Sequence, residues 1–268
     1  MNIFEVLLLQ PLANGLVLFY RVLGGNMGLA IIAFSVFLRF ILTPLTRPYM
    51  ESMKKMKSYQ KDLEKIKKRH KGDRPKFMKA QADFYKEKGI NPSAGCLPYL
   101  LQIVVLIAFF NVFSRVLAPD GDVVSRFNEL LYEPLKFAQD AIINTKFLYL
   151  DITKPDTISG LVPIALPGPF LILAAAVQFL SAKISAPYIE TEKKIAQKTK
   201  GEADDIGVAM QQSMVYTFPL ITLLVGINFA SGLVLYWLVF SALQAYQQYR
   251  SSGWGGLTPW VRRLNLVK

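Results

Sequence analysis

One arginine, Arg39, sits well inside an otherwise apolar run, Gly28–Leu45 (GLAIIAFSVFLRFILTPL). Its 18 residues are just enough to cross a hydrocarbon core about 30 Å thick. A charge near mid-span costs about 2.5–3.5 kcal/mol on insertion scales, so it is expensive unless it is used. Two readings follow. The side chain snorkels past Pro44 toward the basic sequence beyond, or it faces a hydrated cavity and attracts acidic groups. The second is favoured, because the apolar runs contain no Asp or Glu to serve as an internal counter-ion. Ser35 lies one turn earlier on the same helical face. Gln102, Asn111, Gln178, Tyr236 and Trp237 supply further polar or amphipathic side chains in other apolar runs. Tyr236 and Trp237 also fit ordinary interface aromatics, about five residues from a turn.

A second concentration of chemistry lies at residues 47–88, with fifteen Lys or Arg against six Asp or Glu, a net of +9. Lys54, Lys55, Lys57, Lys61, Lys65, Lys67, Lys68 and Arg69 are its densest part. Such a run is often just a solvated face that fixes orientation. This much charge favours an interaction surface for anionic lipid headgroups, a ribosome or another protein. Arg262 and Arg263 extend the theme in a tail without acids.

Enzymatic classes find no support. No HExxH, GxSxG or Walker loop occurs, and the apolar runs hold no paired aspartates. The single Cys96 and single His70 exclude an intrachain disulfide and a multi-Cys or multi-His metal site. No cofactor is expected.

The elements that must position these residues are membrane helices. Of the 268 residues 52% are hydrophobic, yet the net charge is +12. That pairing fits apolar spans joined by basic segments at anionic surfaces. Residues 1–25 carry Gln10, Asn14 and Arg21 on one helical face and Leu12, Leu16 and Phe19 on another. They read as an external amphipathic helix in the membrane interface rather than a span or a cleavable signal. The spans are placed at 26–46, 96–117, 158–182, 210–228 and 231–249. The last two divide one apolar stretch, Met214–Tyr249, whose 36 residues would measure about 54 Å as one helix. The chain must turn back, and Asn228–Gly232 is the natural place. Between the spans lie a helical hairpin at 47–90, an external segment at 118–157 with a short surface helix over Phe127–Ile143, a loop at 183–209, and the tail at 250–268. In the hairpin, helices over Tyr49–Lys71 and Pro75–Lys88 flank a turn at Gly72–Arg74. The segments carry net charges of +9, −3, 0 and +4 in chain order. Lys and Arg excess marks the cytoplasmic side, so the N-terminus and 118–157 are expected outside, and the hairpin and tail inside.

Four stretches together resemble the YidC family of membrane protein insertases, including its mitochondrial and chloroplast relatives. They are LRFILTPLTRPYMESMKKMKSYQ at 38–60, KGINPSAGCLPYLLQIVV at 88–105, LYLDITKPD at 148–156 and SGLVLYWLVFSALQAYQQ at 231–248. The resemblance covers nearly the whole chain from about residue 10. It implies an all-α integral membrane protein with five transmembrane helices around a hydrophilic groove that is open to the cytoplasm and to lipid. It further implies that Arg39 is the groove arginine, that Ser35 lines the groove one turn earlier, and that Trp237 contacts substrate. Gln102, Gln178 and Tyr236 complete the expected groove set. The implied partners are nascent membrane proteins, the ribosome, the SecYEG translocon, the signal recognition particle pathway and anionic lipids, and a monomer is expected to function. The implied location is a bacterial plasma membrane. Two departures stand out. Ser181 and Ala182 occupy the place where many relatives carry a glutamine, and Ala230 replaces a proline common before the Ser-Gly-Leu turn. Other readings of the sequence are a small anion transporter or channel built on Arg39 and a structural subunit of a membrane complex. The lack of an inverted repeat weighs against the transporter.

Overall fold

The computed structural model describes residues 3–70, 72–90, 97–116, 123–158, 165–185 and 204–264, and these are predominantly helical. A π-helical turn at Glu5–Leu9 leads into α1 (Gln10–Val22), with Pro11 in its first turn. Gly24 and Gly25, both with positive φ, reverse the chain into α2 (Met27–Ser58). α3 (Gln60–Arg69) and α4 (Arg74–Glu87) follow, then α5 (Leu97–Val116) and α6 (Val123–Leu130). Two short antiparallel ribbons come next. β1 (Lys146–Phe147) pairs with β2 (Leu150–Asp151), and β3 (Thr157–Ile158) with β4 (Leu166–Pro167). The last helices are α7 (Pro169–Ser185), α8 (Asp204–Gly226), α9 (Ser231–Ser252) and the short α10 (Thr258–Arg263).

Among the described residues, two helical stretches, Glu5–Val22 and Met27–Leu45, are long and apolar enough to cross a membrane, and Ile103–Val116, Pro169–Ser185 and Val215–Gly226 are shorter apolar pieces. Much of their large apolar surface faces outward, including Phe40, Ile41, Ile103, Ile107, Leu220 and Leu224. In water this would be a liability, whereas hydrocarbon tolerates it without cost.

The core gathers α1, α2, α5, α6 and α9. Leu16, Ile31, Phe109, Val112, Phe127 and Tyr236 are fully or almost fully buried in it. Its centre is the stacked pair Phe109–Tyr236, with ring centroids 4.3 Å apart. α9 packs mainly on α7 and α2, and α7 also packs on α8.

Several boundaries differ from the sequence expectations. α2 runs unbroken through Pro44 and Pro48, so the residues expected to form the first span and those expected to start the hairpin lie in one helix of 32 residues. The break falls at Tyr59, which leaves the helical region (φ −95°, ψ 11°). The hairpin helix expected over Tyr49–Lys71 is therefore divided. The hairpin turn itself matches its chemistry, since the Asp73 carboxylate accepts from the Lys76 N–H at 3.1 Å and caps α4. Tyr59 and Phe84 meet edge to face across the hairpin at 5.7 Å.

The helix expected over Phe127–Ile143 ends at Leu130. Tyr132 is extended, and only a 3-10 turn, Glu133–Leu135, follows. The reason lies in α1. Asn14 is almost fully buried, its Nδ2 donates to the Leu130 carbonyl at 3.0 Å, and its Oδ1 accepts from the Tyr132 N–H at 2.8 Å. One side chain thus satisfies the backbone on both sides of the break. The Arg21 guanidinium likewise donates to the carbonyls of Leu135 and Lys136. The polar face of α1 therefore packs against the 123–136 segment, while Leu12 and Leu16 enter the core and Leu7, Leu18 and Val22 remain exposed. α7 begins at Pro169 rather than near 158, because the residues just before it, 157–158 and 166–167, are held in the second ribbon.

Residues 144–156 clasp the N-termini of three helices. The Asn144 carbonyl accepts from Met27 of α2, and the carbonyls of Ile152 and Lys154 accept from Gly232 and Ser231 of α9. Asp156, 5% exposed, receives the Leu171 N–H of α7 on its carboxylate at 2.8 Å, and its own carbonyl receives Gly168 N–H. A Cβ at Gly168 would overlap that carboxylate, so glycine is required there by space. The first four N–H groups of a helix lack internal partners, and here one loop supplies acceptors for three helix starts.

At the opposite end of α9, Gly253 adopts φ +71° and ends the helix. The chain then folds back so that Leu257 and Val261 pack on Ile184 of α7.

Candidate functional site

Arg39 lies about 18 Å along α2 from Met27, at about 1.5 Å per residue. It is half-buried. Its Nε donates to Oε1 of Gln247 on α9 at 2.8 Å. Gln247 Nε2 donates to Thr43 Oγ1 at 3.0 Å, and Thr43 Oγ1 donates to the Arg39 carbonyl at 2.7 Å. This closes a ring of hydrogen bonds between two helices. Thr43 stands one turn beyond Arg39 on α2. Phe240 stands two turns before Gln247 on α9, and its ring lies 4.5 Å from the guanidinium carbon. A hydrogen bond to a charged group contributes about 1.5–3 kcal/mol and a cation–π contact about 0.5–2 kcal/mol. Together they offset the cost of placing a charge within an apolar helix without neutralising it.

Arg115 contrasts with this. It forms an ion pair with Glu5 at 2.7 Å. One basic residue of the apolar helices is thus matched by a carboxylate, while Arg39 is held by a neutral amide and a ring.

The other expected site residues are distributed. Ser35 is fully buried and gives its hydroxyl to the Ile31 carbonyl of its own helix. Tyr236 is fully buried against Phe109 and Phe240. Trp237, the next residue, is half-buried. The Gln178 amide oxygen accepts from Thr222 Oγ1 at 2.6 Å, linking α7 to α8. Among the described residues, no hydrogen bond joins Gln178 to Arg39. The side chain of Gln102 lies outside what the structure describes, as do those of Lys54 and Lys57. Lys55, Lys61, Lys65, Lys68 and Arg69 are exposed on the hairpin, and Lys67 is half-buried. Lys65 pairs with Asp62 one turn away at 3.0 Å, an exposed contact of little energetic weight. Arg262 and Arg263 are exposed on α10.

Sequence reasoning missed Gln247, Thr43 and Phe240. A signal was available in retrospect. The apolar part of α9 ends in Gln244, Gln247 and Gln248, polar residues whose spacing places at least one on the face of Phe240.

Comparison with known proteins supplies the wider frame. Residues 18–252 match the family model described as "60Kd inner membrane protein". Among curated relatives, a membrane protein insertase YidC of Fusobacterium nucleatum is 30% identical over 228 residues, which cover 84% of this chain and 85% of that protein. Those of Syntrophobacter fumaroxidans and Paracoccus denitrificans are 31% and 32% identical over 90% and 88% of this chain, but these matches span only 37% and 33% of those longer proteins. With apolar helices, an arginine in one of them that has no carboxylate partner among the described residues, and a match over most of its length, this chain belongs to the 60Kd inner membrane protein family, a membership that supports membrane protein insertion as its function and a bacterial membrane as its location.

Proposed function

We propose that the chain inserts nascent membrane proteins through a hydrophilic groove bordered by α2 and α9, with five spans crossing the bilayer. The observation that carries this reading is Arg39, held at mid-span by Gln247 and Phe240 with its charge intact. The physical problem is to move a short polar segment across hydrocarbon. A hydrated half-channel shortens the dry distance. The Arg39 charge attracts acidic groups of the moving segment in a medium that screens poorly. The substrate's own apolar helix then partitions into lipid, gaining about 25 cal/mol per Å² of apolar surface. No nucleotide is needed for such a step.

In this reading the clasp at 144–156 closes the external end, and the hairpin α3–α4 faces the cytoplasm. The loop-charge asymmetry supports that orientation. The exposed lysines of the hairpin and the arginines of α10 meet anionic partners there, whether lipid, ribosome, Sec translocon or signal recognition particle pathway. The test is reconstitution of the purified chain into liposomes with a small single-span substrate. Protease protection of the substrate's translocated segment is the expected result. Failure with every substrate would overturn the reading in favour of a subunit or transporter role.

A further inference from the structure

We infer that Gln247 is a positioning residue for Arg39, holding the guanidinium across the α2–α9 boundary while leaving its charge un-neutralised for an acidic substrate segment. The inference rests on the insertase reading above and deepens it.

The geometry carries the argument. The Gln247 amide is fixed at both atoms. Its oxygen takes the Arg39 Nε–H at 2.8 Å, and its nitrogen gives to Thr43 Oγ1 at 3.0 Å. Thr43 returns to the Arg39 carbonyl at 2.7 Å. A flipped amide would place a donor against a donor at Arg39, so the ring selects one orientation. Phe240 covers the guanidinium at 4.5 Å. The Nε edge and the ring contact are thereby used. The terminal N–H groups have no hydrogen-bond partner among the described residues. Those groups keep the cation available to attract a substrate carboxylate.

The chemistry at position 247 matters because two side chains of the same shape would do opposite things. Glutamine accepts the Nε–H and contributes no charge. Glutamate would accept it equally well and pair with the cation, leaving a substrate carboxylate to compete with a resident one. Position 247 therefore sets how much net charge Arg39 presents, which is a specificity-determining property.

The test uses the full chain in proteoliposomes and two matched single-span substrates, one with no acids and one with three acids in the translocated segment. The quantity read is the ratio of three-acid to no-acid insertion. Gln247→Glu is expected to lower this ratio about tenfold, the scale of one charge-assisted hydrogen bond. Gln247→Leu, which removes the anchor without adding charge, is expected to lower it less. In an Arg39→Ala background, Gln247→Leu is expected to change the ratio no further, because its effect runs through Arg39. A second readout does not depend on insertion. In arginine-labelled protein, the Arg39 Nε–H resonance should exchange with water faster in Gln247→Leu than in the wild type. An unchanged ratio in Gln247→Glu, an equal fall in the Arg39→Ala background, or unchanged Nε–H exchange would each overturn the inference. A wild-type chain that inserts neither substrate would instead overturn the insertase reading, and the exchange measurement would still decide whether Gln247 holds Arg39.

Discussion

Replacing Asp156 with alanine strikes the clasp at its most buried polar group. The Asp156 carboxylate is 5% exposed and serves two donors, the Leu171 N–H at 2.8 Å and the Tyr149 hydroxyl at 3.2 Å. The Tyr149 oxygen in turn accepts the Phe170 N–H at 3.0 Å. Asp156→Ala therefore orphans the Leu171 donor in the first turn of α7 and releases the ring that serves Phe170. An unsatisfied buried donor costs about 1–3 kcal/mol, and the Leu171 N–H is buried whereas the Phe170 N–H is exposed, so the loss is about 1–3 kcal/mol. That is a sizeable part of a typical stability of about 5–15 kcal/mol. For a chain of this size it corresponds to a fall in Tm of roughly 2–12 °C. Asp156→Asn keeps an acceptor and should lose about 1 kcal/mol, as for a neutral hydrogen bond. The assay is thermal unfolding in detergent followed by circular dichroism, with amide exchange at Phe170 and Leu171 as the local probe. A Tm within about 2 °C of wild type, together with unchanged exchange at both amides, would refute the clasp reasoning. Faster exchange confined to the start of α7 would support it.

Other outcomes follow from the same structure. Burial is the main influence that raises the Tyr149 phenol above its ordinary value of 10.0. A folded value above the unfolded one means that stability is complete below about pH 10 and declines as pH rises through the folded value. Tyr149→Phe should lack this component of the alkaline decline in a pH series of Tm. At Arg39, Lys keeps the charge but not the fork. A groove working by hydration and diffuse attraction should retain most insertion in Arg39→Lys and lose acidic substrates in Arg39→Ala. Arg39→Glu should be worse still. Equal losses in Lys and Ala, whatever the substrate charge, would point to geometry or folding instead. For topology, single cysteines at Asp140, Lys86 and Arg263 in a Cys96→Ser background should label from outside only at position 140; labelling at 86 or 263 would reverse the orientation. Replacing 50–88 with a short Lys-rich linker should abolish insertion while the protein remains membrane-integrated, and normal insertion by that variant would reduce the hairpin to an orientation signal.

Much of the architecture was legible along the chain. Apolar runs, the Gly72–Arg74 turn and the reversal near Asn228 are local properties. Composition and backbone chemistry set them within a few residues, and the structure has a helix boundary at each. Arg39 was legible as well, because a lone charge in an apolar run needs no partner to be conspicuous. The junction between the first apolar run and the hairpin was less legible. Pro44 and Pro48 remain inside α2, although each ring removes a backbone donor from the helix.

What the sequence determined by itself is the class of solvent each segment demands, the orientation that its charges favour and the family to which its motifs are similar. Tertiary structure alone decided the partners. Gln247 is separated from Arg39 by 208 residues, Glu5 from Arg115 by 110, and Asn14 from Tyr132 by 118. No periodicity or composition links positions so far apart. They meet because helices that bury apolar faces together must also satisfy whatever polar groups those faces carry, and in an apolar surrounding an unmet donor is too costly to leave.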